Sequence, residues 1–143
     1  MKKYELTTET LQFAGHILHR IKALKDFRSV KAGELGGWIE SEENLSQADN
    51  AWVYNNAKVF DKARVYGDAA VSDDATVCGD AKIFDKARVY GEAIIYGAAE
   101  VYGKVEIFDR VRVYGTAMVY GDAWVFDDAC ICGEAVVFGG VVV

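Results

Sequence analysis

The sequence predicts an all-β protein, a single-stranded parallel β-helix of triangular section with about 18 residues per coil and an N-terminal β cap. Three observations carry that expectation. A six-residue period runs without insertion from Ala51, a β-branched residue holds the same place in each unit, and turn-forming residues hold the two places that close it.

The period is read directly from the chain. Ala51-Trp-Val-Tyr-Asn-Asn is followed by Ala57-Lys-Val-Phe-Asp-Lys and Ala63-Arg-Val-Tyr-Gly-Asp, and the series continues to Ala135-Val-Val-Phe-Gly-Gly, which makes 15 complete units. Val141-Val-Val143 reads as the start of one more, with Val141 at its first position. The third position is Val or Ile in all units, which suits a pleated strand and a narrow interior. The first position is Ala or Val. Alternation along a strand places positions one and three inward and positions two and four outward. Positions five and six are rich in Gly, Asp, Asn and Lys, and glycine at the fifth, as at Gly67 and Gly103, supplies a left-handed backbone.

One strand and one turn cannot bury an apolar side alone, so the units must stack around a shared core. Three units per coil give a prism of slightly more than five coils over 51–143, about 25 Å long at the ~4.8 Å strand spacing. A longer period lies over the short one. Phe60-Asp-Lys-Ala-Arg-Val-Tyr-Gly67 recurs unchanged at 84–91 and as Phe-Asp-Arg-Val-Arg-Val-Tyr-Gly at 108–115, a spacing of 24 residues. On three sides each copy lands one face further round; a four-sided coil would stack the copies directly, and that alternative stays open here.

The chain has 143 residues, 52% of them hydrophobic and 27% charged, which fits one soluble domain. No apolar run is long enough to span a membrane, and the N-terminus lacks a signal-like apolar stretch, so a cytoplasmic protein is expected. A net charge of −6 disfavours direct nucleic-acid binding, which needs clustered Lys and Arg, and leaves a basic partner or charge mimicry open. The cysteines Cys78, Cys130 and Cys132 are an odd set without a disulfide framework.

The inward aliphatic, the small residue two places before it and the Gly/Asp/Asn turn resemble the hexapeptide-repeat, left-handed β-helix superfamily over residues 45–143. In that superfamily a small residue usually follows the aliphatic, whereas here Tyr or Phe stands there. Left-handedness is what the resemblance implies; ordinary parallel crossovers are right-handed. Ala23-Leu-Lys-Asp-Phe27 and Gly33-Glu-Leu-Gly-Gly-Trp-Ile-Glu-Ser-Glu-Glu-Asn-Leu45 are similar to a group of bacterial and prophage hexapeptide-repeat proteins, often labelled transferases or polymer-forming proteins. Such labels follow fold, which does not establish chemistry.

Residues 1–44 lack the hexad and are expected to form a β-hairpin cap and lead-in to the helix at 45–143. Leu11 to Leu24 reads as two extended stretches joined near Ala14-Gly15, with Ile17, His19, Ile21 and Ala23 sharing one side. Trp38 and Ile39 are expected to start the first coil.

Catalysis has little to stand on in the sequence. The resemblance implies, for an acyltransferase, a histidine base near a subunit boundary and a loop leaving the coil. The two histidines, His16 and His19, lie in the cap, and the coils carry no insertion. No cofactor and no metal site is expected: Cys130 and Cys132 lack further ligands, and Cys78 lies three coils away. Asn55-Asn56, Asp73-Asp74, Asp109 and Asp127-Asp128 share one edge as solvated turn residues; a calcium edge or a DNA-like charge row is the alternative, weakened by Arg110 and flanking lysines.

The outward aromatics are the most unusual feature. One face carries Tyr66, Phe84, Tyr102, Tyr120 and Phe138 without a gap, and another carries Tyr54, Ser72, Tyr90, Phe108 and Phe126 flanked by Trp52 and Trp124. Such stacks stabilise neighbouring coils, and a large apolar strip also marks an oligomer or partner site. The apolar run Val136, Phe138, Val141, Val142 and Val143 is expected to be an oligomer end. The functional expectation is a non-catalytic binding or scaffolding β-helix whose partner is itself and, beyond that, another protein. A phage-type protein that blocks or sequesters a host defence component fits the small size and acidic charge. The alternative is an acyltransferase-like enzyme with a site between subunits.

Overall fold

Most hexads place only their second and third residues in a strand, as at Lys58–Val59 and Thr76–Val77, and the strands Met118–Tyr120 and Val136–Phe138 add the fourth. A computed structural model describes residues 1–142, with backbone alone for 141 and 142. The short strands stack in parallel with residues eighteen apart as partners, Val59 on Val77 on Ile95 on Val113 on Ile131. They form three sheets, so the prism has three sides. The 24-residue copies accordingly fall on different sides, with Phe60 beside Val59, Phe84 beside Ile83 and Phe108 beside Ile107, and the four-sided coil is excluded. The three sides are named below by one inward residue each, Val59, Val53 and Val65.

Inward packing follows the pattern. The third-position residues from Val53 to Val125 and the first-position residues from Ala51 to Ala123 are buried, and Ile131 retains 6% exposure. Small Ala at the first position and branched Val or Ile at the third let three sides meet on a dry axis.

The corners explain the turn chemistry. The fifth residue of each unit from Asn55 to Gly139 has φ between 57° and 78°, and the non-glycine residues there are Asn or Asp. These are the side chains that tolerate a left-handed backbone best. The aspartates do more: Asp85 Oδ2 accepts from the Gly103 N–H at 3.1 Å, Asp61 Oδ2 from Gly79 at 3.0 Å and Asp109 Oδ2 from Asp127 at 3.0 Å. Each joins one coil to the next. On the acidic edge, Asp73 and Asp109 act in this way, toward the Gly91 and Asp127 N–H groups.

The N-terminal part seals one end. β1 (Tyr4–Phe13) and β2 (His16–Ala23) form a hairpin with positive φ at both Ala14 and Gly15, and β2 pairs antiparallel with β3 (Leu35–Ile39). β3 then runs parallel to the Lys58–Val59 strand, so Trp38 and Ile39 do start the coils. The first step is longer than the rest: Ile39 faces Val59 and Leu45 faces Val65, twenty residues apart. Tyr4, Ile21, Phe27, Val30 and Trp52 close the core, with the Trp52 ring 5.1 Å from Phe27 and 6.0 Å from Tyr4. Lys3 is buried beside them, donating to the Asp49 and Ala51 carbonyls, and burial pushes its ammonium down to about 8.

Two expectations change, and one strand of the cap buries residues on both of its sides. Trp52 is sealed beneath the cap and does not flank an exposed face. Ile17 is exposed although Ile21 and Ala23 on its side of β2 are buried in the main core, and Leu18 on the opposite side is buried with Trp38 and Phe60. Val141 pairs with Trp124 and therefore occupies a second position, not a first. Gly139 and Gly140 are both left-handed there, and the Trp124 N–H donates to Gly140 where the regular pattern would use residue 141.

Candidate functional site

The five rings of the Val65 side, Tyr66, Phe84, Tyr102, Tyr120 and Phe138, stack in one ladder. Successive centroids are 4.8 to 5.4 Å apart and the planes differ by 4° to 14°. The coil rise sets that spacing, so the geometry is imposed by the backbone. Face-to-face stacking leaves ring edges and hydroxyls outward for most of its length. The faces themselves are already used, so much of the ladder is stabilising in the manner of cross-strand pairs. Phe138 at the last rung is different, being 64% exposed, with Val136 beside it also exposed.

The Val53 side repeats the theme with an interruption. Tyr90, Phe108 and Phe126 stack at 5.1 and 5.5 Å, but Ser72 separates Tyr90 from Tyr54. The Tyr90 hydroxyl donates to Glu106 Oε1 at 2.8 Å, and burial together with that carboxylate pushes it up to about 12. Trp124, beside Phe126, is exposed.

The Val59 side holds the titratable clusters. The tip of the hairpin folds over it, so that Leu18, Trp38 and Phe60 form a second apolar cluster with Phe13, Leu11 and Cys78 at its margin. His16 lies on Phe60 at 4.8 Å, with Nδ1 2.9 Å from Glu40 Oε2 and Nε2 3.0 Å from Asp61 Oδ1. The hydrogen bond to Glu40 is the main force raising the imidazole above its ordinary value. Burial acts upward on Glu40, but the bonds from His16 and the Asp61 N–H outweigh it and hold the carboxyl below its ordinary value. Ligand atoms of the three residues lie within 4.8 Å of one another, a divalent-cation spacing, although a metal would have to displace a proton from a ring whose two nitrogens already face carboxylates. Sequence reasoning missed this group, since Glu40 and Asp61 stand 24 and 45 residues from His16 with no motif between them. Further along, the Cys130 thiol reaches the Tyr114 hydroxyl at 3.5 Å, and Cys130, then Cys132, raise that phenol. Burial pushes the Cys78 thiol up to about 11.

A family model described as "YdcK Beta solenoid repeat" matches residues 63–79. A protein of Escherichia coli (strain K12) named "Uncharacterized acetyltransferase YdcK" is 38% identical over a stretch covering 38% of this chain. Both matches agree with the resemblance of the repeats to the hexapeptide-repeat, left-handed β-helix superfamily. The chain covers 19% of the length of that relative.

Within the hexapeptide-repeat family the acyltransferase pattern needs a histidine able to take a proton. The two histidines of this chain differ in that respect. His16 is held between two carboxylates that favour its protonated form, and His19 Nδ1 lies 3.1 Å from the Thr7 carbonyl. The expected oligomer end is only partly visible: Val136 and Phe138 are exposed, residues 141 and 142 continue the sheet beside Trp124–Val125, and Val143 lies outside the described residues, as do the side chains of Val141 and Val142. Among the described residues no helix is long and apolar enough to cross a membrane.

Proposed function

We propose that this chain is a non-catalytic binding or scaffolding β-helix that associates with a second copy of itself through the aromatic side of its last described coil. The observation that carries the reading is exposure. Trp124, Val136 and Phe138 are 47%, 52% and 64% exposed on two sides of one coil, while the rings before them are packed in ladders. Large apolar side chains left exposed together on one coil mark an interface more often than single scattered ones do. The opposite end is closed by Tyr4, Phe27 and Trp52, which supports a closed pair over a filament. A partner protein, such as a host component sequestered by a phage-type protein, would use the same surface.

Light scattering of the 143-residue chain tests it. A dimer mass that falls to monomer in Phe138→Glu is expected; a concentration-independent monomer removes the reading. The second reading is a transferase-like enzyme, motivated by the name of the E. coli relative. Saturable acetyl-CoA binding by calorimetry that is lost in His19→Ala would favour it.

A further inference from the structure

The Val53 side carries a bulky outward pair in each coil but one. Trp52/Tyr54, Arg88/Tyr90, Glu106/Phe108 and Trp124/Phe126 are interrupted by Ala70/Ser72, so a single coil is trimmed to small side chains. The result is a groove of about 430 Å³, floored by Ala70 and Ser72 and walled by Tyr54 and Tyr90.

Its height matches a flat ring. Tyr54 and Tyr90 stand two coil steps apart, roughly 10 Å at the ~4.8 Å strand spacing. Adjacent rings on this side are separated by 5.1 to 5.5 Å. One planar ring set over Ser72 would therefore meet both tyrosines at the separation the ladder already uses. Tyr90 is pre-oriented for this: Phe108 covers one of its faces, Glu106 fixes its hydroxyl, and the other face looks toward Ser72.

The charge at the rim selects an anion. Although the chain carries −6, Arg28, Lys86 and Arg88 gather along this groove and its continuation. Asp68 lines the continuation, and Asp73 is engaged, accepting from the Gly91 N–H at 3.1 Å and from Asn55 Nδ2 at 3.4 Å. Arg28 reaches the groove from the cap, where paired bonds between Phe27 and Val30 hold it at φ 49°. A left-handed backbone is uncommon for so long a side chain.

We propose that this groove binds a nucleoside monophosphate, its base inserted between Tyr54 and Tyr90 over Ser72 and its phosphate on Arg28 and Arg88. The site is independent of self-association and needs no second copy. Calorimetric titration with AMP and with UMP, one purine and one pyrimidine, is the test. Saturable binding is expected for at least one of them. Adenosine or uridine without the phosphate, and inorganic phosphate without the base, should each bind at least about tenfold more weakly than the nucleotide that binds. Ser72→Tyr fills the slot and completes the ladder, so it should weaken binding more than about tenfold while its thermal midpoint does not fall. Arg88→Ala should weaken binding about tenfold. The proposal is overturned if neither nucleotide binds by about 5 mM, if phosphate alone binds as well, or if a folded Ser72→Tyr protein binds unchanged.

Discussion

Replacing Asp85 separates two physical contributions made by one corner residue. Asp85 sits at φ 59° and its carboxylate accepts the Gly103 N–H of the next coil at 3.1 Å. Asparagine keeps both the tolerance for that backbone and an oxygen in the same place, so Asp85→Asn should cost about 0.5 kcal/mol, the difference between a charged and a neutral acceptor at an exposed corner. Glycine keeps the backbone and loses the acceptor, for a cost of about 1 kcal/mol. Alanine loses both, adding the left-handed penalty of roughly 1 kcal/mol to the lost bond, about 2 kcal/mol in all. Urea unfolding followed by circular dichroism measures the series, compared through midpoints at constant slope. The predicted order of cost is Asn, then Gly, then Ala. If Ala were the mildest of the three, or Asn as costly as Ala, the account of the corners as inter-coil acceptors on a left-handed backbone would be wrong.

Three further outcomes follow from the geometry. Phe84 stacks on both Tyr66 and Tyr102, so Phe84→Ala should destabilise by about 2 kcal/mol, two ring pairs plus lost burial, whereas Phe138→Ala at the last rung should cost well under half of that in the same unfolding assay. The His16 pKa is raised in the fold, so its contribution to docking the hairpin tip is full below the unfolded value near 6.5 and is lost as pH rises through the folded value. The Glu40 contribution has the opposite sign, present above the unfolded carboxyl value and lost as pH falls through the lowered folded one. Protection factors of the amides of residues 11–18, taken against intrinsic exchange at the same pH, should therefore fall at both ends of the pH range, and His16→Ala should abolish the fall on the alkaline side. Cys78 is partly buried with a thiol pushed up to about 11, while Cys130 and Cys132 are exposed; iodoacetamide at pH 8 should label the latter pair well before Cys78, as read by peptide mass.

The repeats were legible because their partners are given by arithmetic. Once Val59 and Val77 stand eighteen residues apart on one side, the place of Ile95 or Val113 needs no further information. The ring ladder on the Val65 side follows from the same count. In the cap that arithmetic fails. Ile17, Ile21 and Ala23 share one side of their strand, yet Ile17 is exposed, while Leu18 on the other side is buried with Trp38 and Phe60. Trp52 has an outward position in its unit, yet Tyr4 and Phe27 cover it from more than twenty residues away in sequence. The Ser72 gap can be seen in the list of outward residues, but it becomes a groove only where Arg28 and Ser29 reach across from the cap.

The sequence by itself therefore determined the coil: which side chains face the axis, where the backbone turns left-handed, and which rings stand over one another, since each hexad meets the same local geometry and the same neighbour. Only the tertiary structure decided what the non-repeating segment does with that rod. It set the longer first step at Ile39 and Leu45, placed His16 between Glu40 and Asp61, and shifted the register at Gly139-Gly140. These depend on contacts between residues that no period relates, and their energies are decided by bulges, loop lengths and long-range packing that a local pattern does not encode.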